Sequence, residues 1–209
     1  MKIKRLLKVN DASLILASKS KARLAMLTAA GVTVEAMAPN VDEDSLKEGL
    51  KSEGVTARNL ADALAEAKAV RLSQRIGAGM ILGGDQVLAL ADGSMLDKPV
   101  DRAEAMAHLK LLSGKKHKLF SAAVIAEQGR AVWRHVDIAT LSVRQLSDSF
   151  IEHYVDSEWD KIQYCVGCYE IEGRGSQLFS DISGSQFTIM GLPLLHLLDY
   201  LRIRGILPT

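Results

Sequence analysis

Met80-Ile81-Leu82-Gly83-Gly84-Asp85-Gln86-Val87-Leu88-Ala89-Leu90 sets an acid and an amide between two apolar runs, and Asp97-Lys98-Pro99 follows shortly afterwards. Short apolar runs of this length read as a buried strand, which the carboxylate interrupts. An acid so placed is desolvated, so it is expected to be paired, hydrogen-bonded or bound to a metal. The two glycines before it let a backbone or a ligand come close. Two readings stand side by side here: Asp85 as a functional acid, or Asp85 capping a turn with Gly83-Gly84 as a bulge.

Working outward, the segment 13–17 reads as a short buried strand, and Ser18-Lys19-Ser20 opens a helix that stops at Gly31. Residues 32–37 read as a second strand leading into an acidic loop, Asn40-Val41-Asp42-Glu43-Asp44. The Ala-rich stretch 57–75 has apolar positions at helical spacing and delivers the chain to the Asp85 strand. Asp101, with Glu104 three residues on, reads as the capping box of a helix over 102–112 that ends at Gly114. Residues 119–127 and 131–143 read as an antiparallel pair turning at Gln128-Gly129. A helix from Ser147 through Tyr154, a glycine-rich loop over 164–184 that looks shaped around a ligand, and a last helix over 193–204 complete the chain. No repeat or linker divides it, so residues 1–209 are expected to form one domain. Strands alternating with helices predict an α/β fold: a mixed twisted sheet flanked by helices, with a ligand cleft between two lobes.

Composition narrows the function classes. A chain of 209 residues buries enough surface to fold without disulfides or a structural metal. Its net charge of +1 comes from interspersed acids and bases, which argues against long nucleic acid as a partner and leaves room for a small anion held by local cations. The basic start Met1-Lys2-Ile3-Lys4-Arg5 is followed by Lys8, Asn10 and Asp11, which break any export signal. No apolar run approaches the roughly 20 residues of a membrane span, and a cytoplasmic protein is expected. Cys165 and Cys168 have C-x-x-C spacing but no second pair to complete a zinc site, so they read as small side chains without chemistry.

Four segments carry charge or hydroxyls where α/β proteins place their ligand crevice, beyond strand ends. Ser18, Ser20 and Arg23 surround a helix start, where free N–H groups and a guanidinium suit phosphate; alternatively the serines cap and Arg23 is solvated. Asp42-Glu43-Asp44 suits a hard cation, or is simply a solvated loop. Lys68 on the Ala-rich helix reads most simply as a surface charge. Asp85, Gln86 and Lys98 form the fourth group, with Lys98 held extended by Pro99.

Taken together these segments resemble the Maf family of nucleotide pyrophosphatases. The family's Ser-x-Ser-Pro-x-Arg turn matches Ser18-Lys19-Ser20-Lys21-Ala22-Arg23, its Gly/Ser-Ala-Asp motif matches Gly83-Gly84-Asp85-Gln86, and its Gly-Lys-Pro motif matches Asp97-Lys98-Pro99. Leu112-Ser113-Gly114 with His117, the glycines 167–175 and Gly191-Leu192-Pro193-Leu194 follow in the family's order. Departures are Lys21 for the usual Pro, Asp97 for Gly, and Gly84 for Ala or Ser.

The resemblance implies hydrolysis of a nucleoside triphosphate between its α and β phosphates, giving the monophosphate and pyrophosphate with a divalent cation: Mg²⁺, Mn²⁺ or Co²⁺. In that scheme Asp85 is the base that activates water, Glu43 and Asp85 hold the cation, and Arg23, Lys68 and Lys98 neutralise the phosphates, with Ser18 and Ser20 in the phosphate turn. Gln86 stands where the branch preferring dTTP and UTP usually has Thr, and Glu172 where it has Gln. Both resemble the branch acting on 7-methylguanosine triphosphate, and a carboxylate suits the positive charge of a methylated guanine. A nucleotide-binding regulator of cell division without turnover is the reading from another class. A doubly wound methyltransferase or dehydrogenase fails for want of G-x-G-x-x-G after a strand. The apolar run 192–201 suits a homodimer contact as well as core.

Overall fold

The computed structural model describes residues 14–209. The basic N-terminal segment and Ser13 lie outside them. The first strand, β1 (Leu14–Ala17), is buried at every position. Ser20 caps α1 (Lys21–Ala29) by accepting from Arg23 N, and the chain returns through β2 (Val34–Ala36), shorter than the six residues its composition suggested.

The acidic segment is not a loop. Asp42 accepts from Ser45 N and caps α2 (Glu43–Ser52), with Glu43 and Asp44 in the first turn, where acids favour the helix dipole. Thr56 caps α3 (Ala57–Ile76), which ends in a left-handed glycine, Gly77. β3 (Met80–Leu90), β4 (Met95–Leu96) and α4 (Arg102–Leu112) follow, and Asp101 caps α4 as its sequence indicates. β5 (Lys116–Glu127) and β6 (Arg130–Val143) form the expected hairpin, with both Gln128 and Gly129 at positive φ. This is the turn geometry whose twist matches that of the flanking strands. α5 (Asp148–Ile162) continues well past Tyr154. The glycine-rich region is partly regular, containing a 3₁₀ turn (Arg174–Leu178) and β7 (Phe179–Ser183), before α6 (Gln186–Ile189) and α7 (Leu194–Ile203).

The described residues form a single-domain α/β fold on one mixed sheet of seven strands, in the order β2-β1-β3-β5-β6-β7 with β4 on β3. β1 runs parallel to β2 and β3, whereas from β3 through β5 and β6 to β7 each strand is antiparallel to its neighbour. Asp85 does not interrupt its strand. The β3–β5 register runs unbroken from Ile81↔Ala126 to Leu90↔His117, with Asp85 opposite Ala122, so Gly83-Gly84 is no bulge and Asp85 caps no turn. On its other edge β3 pairs with β1 only as far as Ala17↔Gly83 and with β4 only from Leu88↔Leu96. Residues 84–87 therefore have no strand neighbour on that side, and Asp85 sits in the gap.

Strand alternation sends Gly83, Asp85 and Val87 to one face and Leu82, Gly84, Gln86 and Leu88 to the other. α3 covers the first face, packing Leu60, Leu64 and Ala65 near Val87, Ala122 and Val124. The second face carries two apolar groups: Leu82 lies in a cluster with Met26, Leu197 and Leu201, and Leu88 in another with Leu109, Ile151 and Tyr154. Gly84 and Gln86 fall between those two cores. Gly83 is required by close packing, because a Cβ there would lie 2.1 Å from Ala65 O and 2.8 Å from Ala69 N. α3 thus rests on β3 backbone to backbone. No helix among the described residues is long and apolar enough to cross a membrane.

Candidate active site

Close approach of α3 to Gly83 brings Lys68 over Asp85. Lys68 occupies the helical line Leu60, Leu64, Lys68, Leu72, so it points inward with the leucines and is buried, not the surface charge its isolation suggested. Its Nζ donates to Asp85 Oδ1 at 2.6 Å and lies 2.6 Å from Glu43 Oε2. Two carboxylates from β3 and from the first turn of α2 therefore converge on one ammonium. Lys68 and Asp85 are almost wholly enclosed, whereas Glu43 is about half exposed. Among the described residues, Asp85 Oδ2 and Glu43 Oε1 accept no hydrogen bond, so each acid keeps an oxygen open.

Arg23 closes the cluster from α1. Its guanidinium is buried, with Nε donating to Gly191 O (2.7 Å) and Nη1 to Ser18 Oγ (3.4 Å). Burial lowers its pKa against the opposing pull of Asp85 and Glu43. Ser18 Oγ also accepts from Ser20 N at 3.1 Å, so the two serines and Arg23 form one hydrogen-bonded turn at the end of β1, with Lys21 in place of the family's usual proline. Gly191, at φ +100°, is needed here: a Cβ would come within 3.2 Å of Arg23 Nη2.

Lys98 approaches from the loop after β4. Its side chain is exposed, yet surrounding protein lowers the pKa of its ammonium, and the positive charges of Arg23 and Lys68 lower it further, against Asp85 and Glu43. Three cations gathered next to two partly open carboxylates, with the Lys98 ammonium depressed by burial and by its cationic neighbours, suit a ligand that brings both negative charge and a cation of its own. Asp97, beside Lys98, pairs with Lys47 and, at 2.8 Å, with Lys51, both from α2.

Two residues take other positions. Gln86 is turned away from the charged cluster, and its Nε2 donates to Ser121 Oγ, Thr188 O and Ile189 O, each at 2.9 Å. That amide nitrogen holds the end of α6 and is not free to read a base. Glu172 lies exposed in the turn before the 3₁₀ segment and contacts none of the Asp85 group. Its charge nevertheless reaches its neighbours: Glu170 has a raised pKa, through burial first and Glu172 second.

His117, from the matched motif, is buried with Nε2 2.7 Å from Tyr169 Oη, and burial lowers its pKa to about 4. It is a neutral core residue. Cys165 and Cys168 are free thiols, each pushed up to about 12, chiefly by burial, which disfavours the reactive thiolate. A surface depression of about 440 Å³ between Asn40, Val41 and Asp42 on one side and Ala67, Val70, Arg71 and Gln74 on the other includes none of the clustered charges.

The contribution of α2 was not foreseen. The signals were a capping Asp42, Leu46 and Leu50 one turn apart, and a basic last turn at Lys51. Leu46 and Leu50 pack on the α3 side of the core, which carries Glu43 to Lys68.

Fold and site together define an α/β domain with a phosphate-type cluster of cations backed by paired carboxylates. The chain belongs to the Maf family: the model described as Maf-like protein matches residues 13–203. A nucleoside triphosphate pyrophosphatase of Sphingopyxis alaskensis is 51% identical over 94% of this chain and 99% of its own length. Proteins of the same name from Hyphomonas neptunium and Caulobacter vibrioides are each 50% identical, over 93% and 92% of this chain and 97% and 96% of their own lengths.

Proposed function

We propose that the chain is a nucleoside triphosphate pyrophosphatase, a hydrolase that splits the α–β phosphoanhydride and releases a nucleoside monophosphate and pyrophosphate. One observation carries this reading: Asp85 and Glu43 meet on Lys68 with an oxygen free on each, while Arg23 and Lys98 stand by as cations. The names of relatives half identical over nearly their whole length support it.

The donor set fits a hard divalent cation such as Mg²⁺, Mn²⁺ or Co²⁺, since the open atoms are carboxylate oxygens. Glu43 and Asp85 would hold it, and when bound it supplies charge neutralisation on the phosphates and an acidified water. No third His, Cys, Asp or Glu joins the two acids among the described residues, so the remaining ligands would come from water and phosphate. Arg23 keeps N–H groups beyond those engaged by Gly191 and Ser18, and these face incoming phosphate with Lys98. Lys68 fixes Asp85 Oδ1, which leaves Oδ2 as the atom that accepts a proton from attacking water.

Preference for 7-methylguanosine triphosphate rests on Glu172, whose turn also holds Glu170; paired acids there suit a cationic base. Gln86 lends it no support, its amide nitrogen being engaged. The test is pyrophosphate release from 7-methyl-GTP, GTP, dTTP and UTP with each of the three cations. Release from 7-methyl-GTP above the others is expected. Preference for dTTP or UTP would sink the base assignment, and tight binding with no pyrophosphate from any of them would favour a non-catalytic nucleotide regulator.

A further inference from the structure

α2 supplies Glu43, yet nothing in α2 is fully buried. Its attachment consists of Leu46 and Leu50 against the α3 side of the core, and of charges along one stripe. Glu43, Lys47 and Lys51 are spaced four residues apart and so line one face of the helix. Glu43 meets Lys68, while Lys47 and Lys51 both close on the two oxygens of Asp97, one lysine to each. A helix with so little buried surface has few other restraints on its orientation, so the carboxylate that holds both lysines fixes where its first turn points. Asp97 is carried by the loop that also presents Lys98. The same short segment therefore ties the helix bearing one carboxylate to the loop bearing one phosphate-facing cation.

We infer that Asp97 is a positioning residue: by clamping Lys47 and Lys51 it holds α2 against the body of the protein and sets Glu43 at the cation site. The inference rests on the function proposed above, because Glu43 is placed there as a cation ligand. It assigns work to the motif position at which this chain carries an acid instead of the glycine usual in the family. Burial raises the Asp97 pKa, but hydrogen bonds from Lys47 and Lys51 outweigh it and hold the carboxyl below its ordinary range, so the clamp stays charged at neutral pH. Because these groups are partly exposed, salt screens them.

The experiment compares wild type with Asp97→Asn and Asp97→Glu, all first shown to melt at similar temperatures. Hydrogen–deuterium exchange is followed across the chain, and pyrophosphate release is titrated with Mg²⁺ at low and high NaCl. Asp97→Asn is expected to speed exchange over residues 43–52 about three- to tenfold, leaving α3 and β3 unchanged, and to raise half-saturating Mg²⁺ by a similar factor with little change in kcat. High NaCl should raise the Mg²⁺ requirement of wild type by a larger factor than that of Asp97→Asn, in which only the cation site itself is left to screen. Asp97→Glu should restore both readouts. Unchanged exchange over 43–52, or faster exchange with an unmoved Mg²⁺ requirement, overturns the assignment. If wild type released no pyrophosphate the proposed activity would fail, and the exchange arm would still decide whether Asp97 clamps α2.

Discussion

Asp85 and Gln86 are adjacent on β3, and the strand sends them to opposite faces with opposite outcomes. On the α3 side Asp85 meets Lys68 and Glu43, half-open charges at an unpaired stretch of strand edge. On the other side Gln86, with Ser121 below it and His117 further along β5, belongs to a neutral polar set bonded within the protein: Gln86 Nε2 has three acceptors, Ser121 donates to Thr188 O, and His117 Nε2 meets Tyr169 while its Nδ1 is buried without a partner among the described residues. The contrast separates two kinds of buried polarity. Charged groups that the protein leaves partly open await a ligand, and neutral groups bonded to distant backbone and side chains hold the fold together.

The largest effect that tests the contrast is on turnover. Asp85→Asn keeps the shape and removes the proton acceptor, so kcat is expected to fall about 10²–10⁴-fold with nucleotide binding nearly intact. Steady-state pyrophosphate release together with calorimetric binding reads both quantities. A variant with wild-type rate would move the base elsewhere and dissolve the distinction.

His117 tests the opposite side through pH. Its folded-state pKa, about 4, lies below the ordinary 6.5, so the unfolded chain takes up the proton first as the solution is acidified. Its stabilising contribution is complete above pH 6.5 and is lost as pH falls towards 4, amounting to about 3 kcal/mol. Urea melts at pH 7 and near pH 4 should show a loss in wild type that His117→Gln lacks. Equal losses would mean that another group titrates.

Gln86→Ala is the smallest and sharpest test. It removes the amide donor that serves the carbonyls of Thr188 and Ile189 at the end of α6 and should cost about 1–2 kcal/mol of stability, read from denaturant midpoints. The ranking of nucleotides by kcat/KM should stay as in wild type. A reordered ranking with unchanged stability would return Gln86 to the base pocket.

Much of this was legible beforehand. The apolar run of β1, the capping serine of α1, the Ala-rich α3 and the Gln128-Gly129 hairpin each carry a local signal strong enough to survive tertiary context. Asp85 was legible as a buried acid because apolar residues flank it. Lys68 was legible in principle, since it falls on the leucine line of α3, although a lysine considered alone suggests a surface. What escaped was set by distant parts of the chain. α2 has only Leu46 and Leu50 as inward anchors with Gly49 between them, so its pattern is faint until α3 is there to receive it. The partners of Gln86 lie about a hundred residues on at Thr188 and Ile189, and no spacing rule reaches that far. β4 and α6 are too short to show any period.

The backbone contact at Gly83 carries a consequence for how the chain tolerates change. Since α3 touches β3 through Ala65 O and Ala69 N, the span from Lys68 to Asp85 is set by main-chain geometry and hardly by the shapes of surrounding side chains. Repacking the leucines elsewhere on α3 should leave that span intact, whereas one added methyl at Gly83 should lift the whole helix and part the pair. In a saturation library selected for activity, position 83 should admit glycine alone, and the core around it should drift freely.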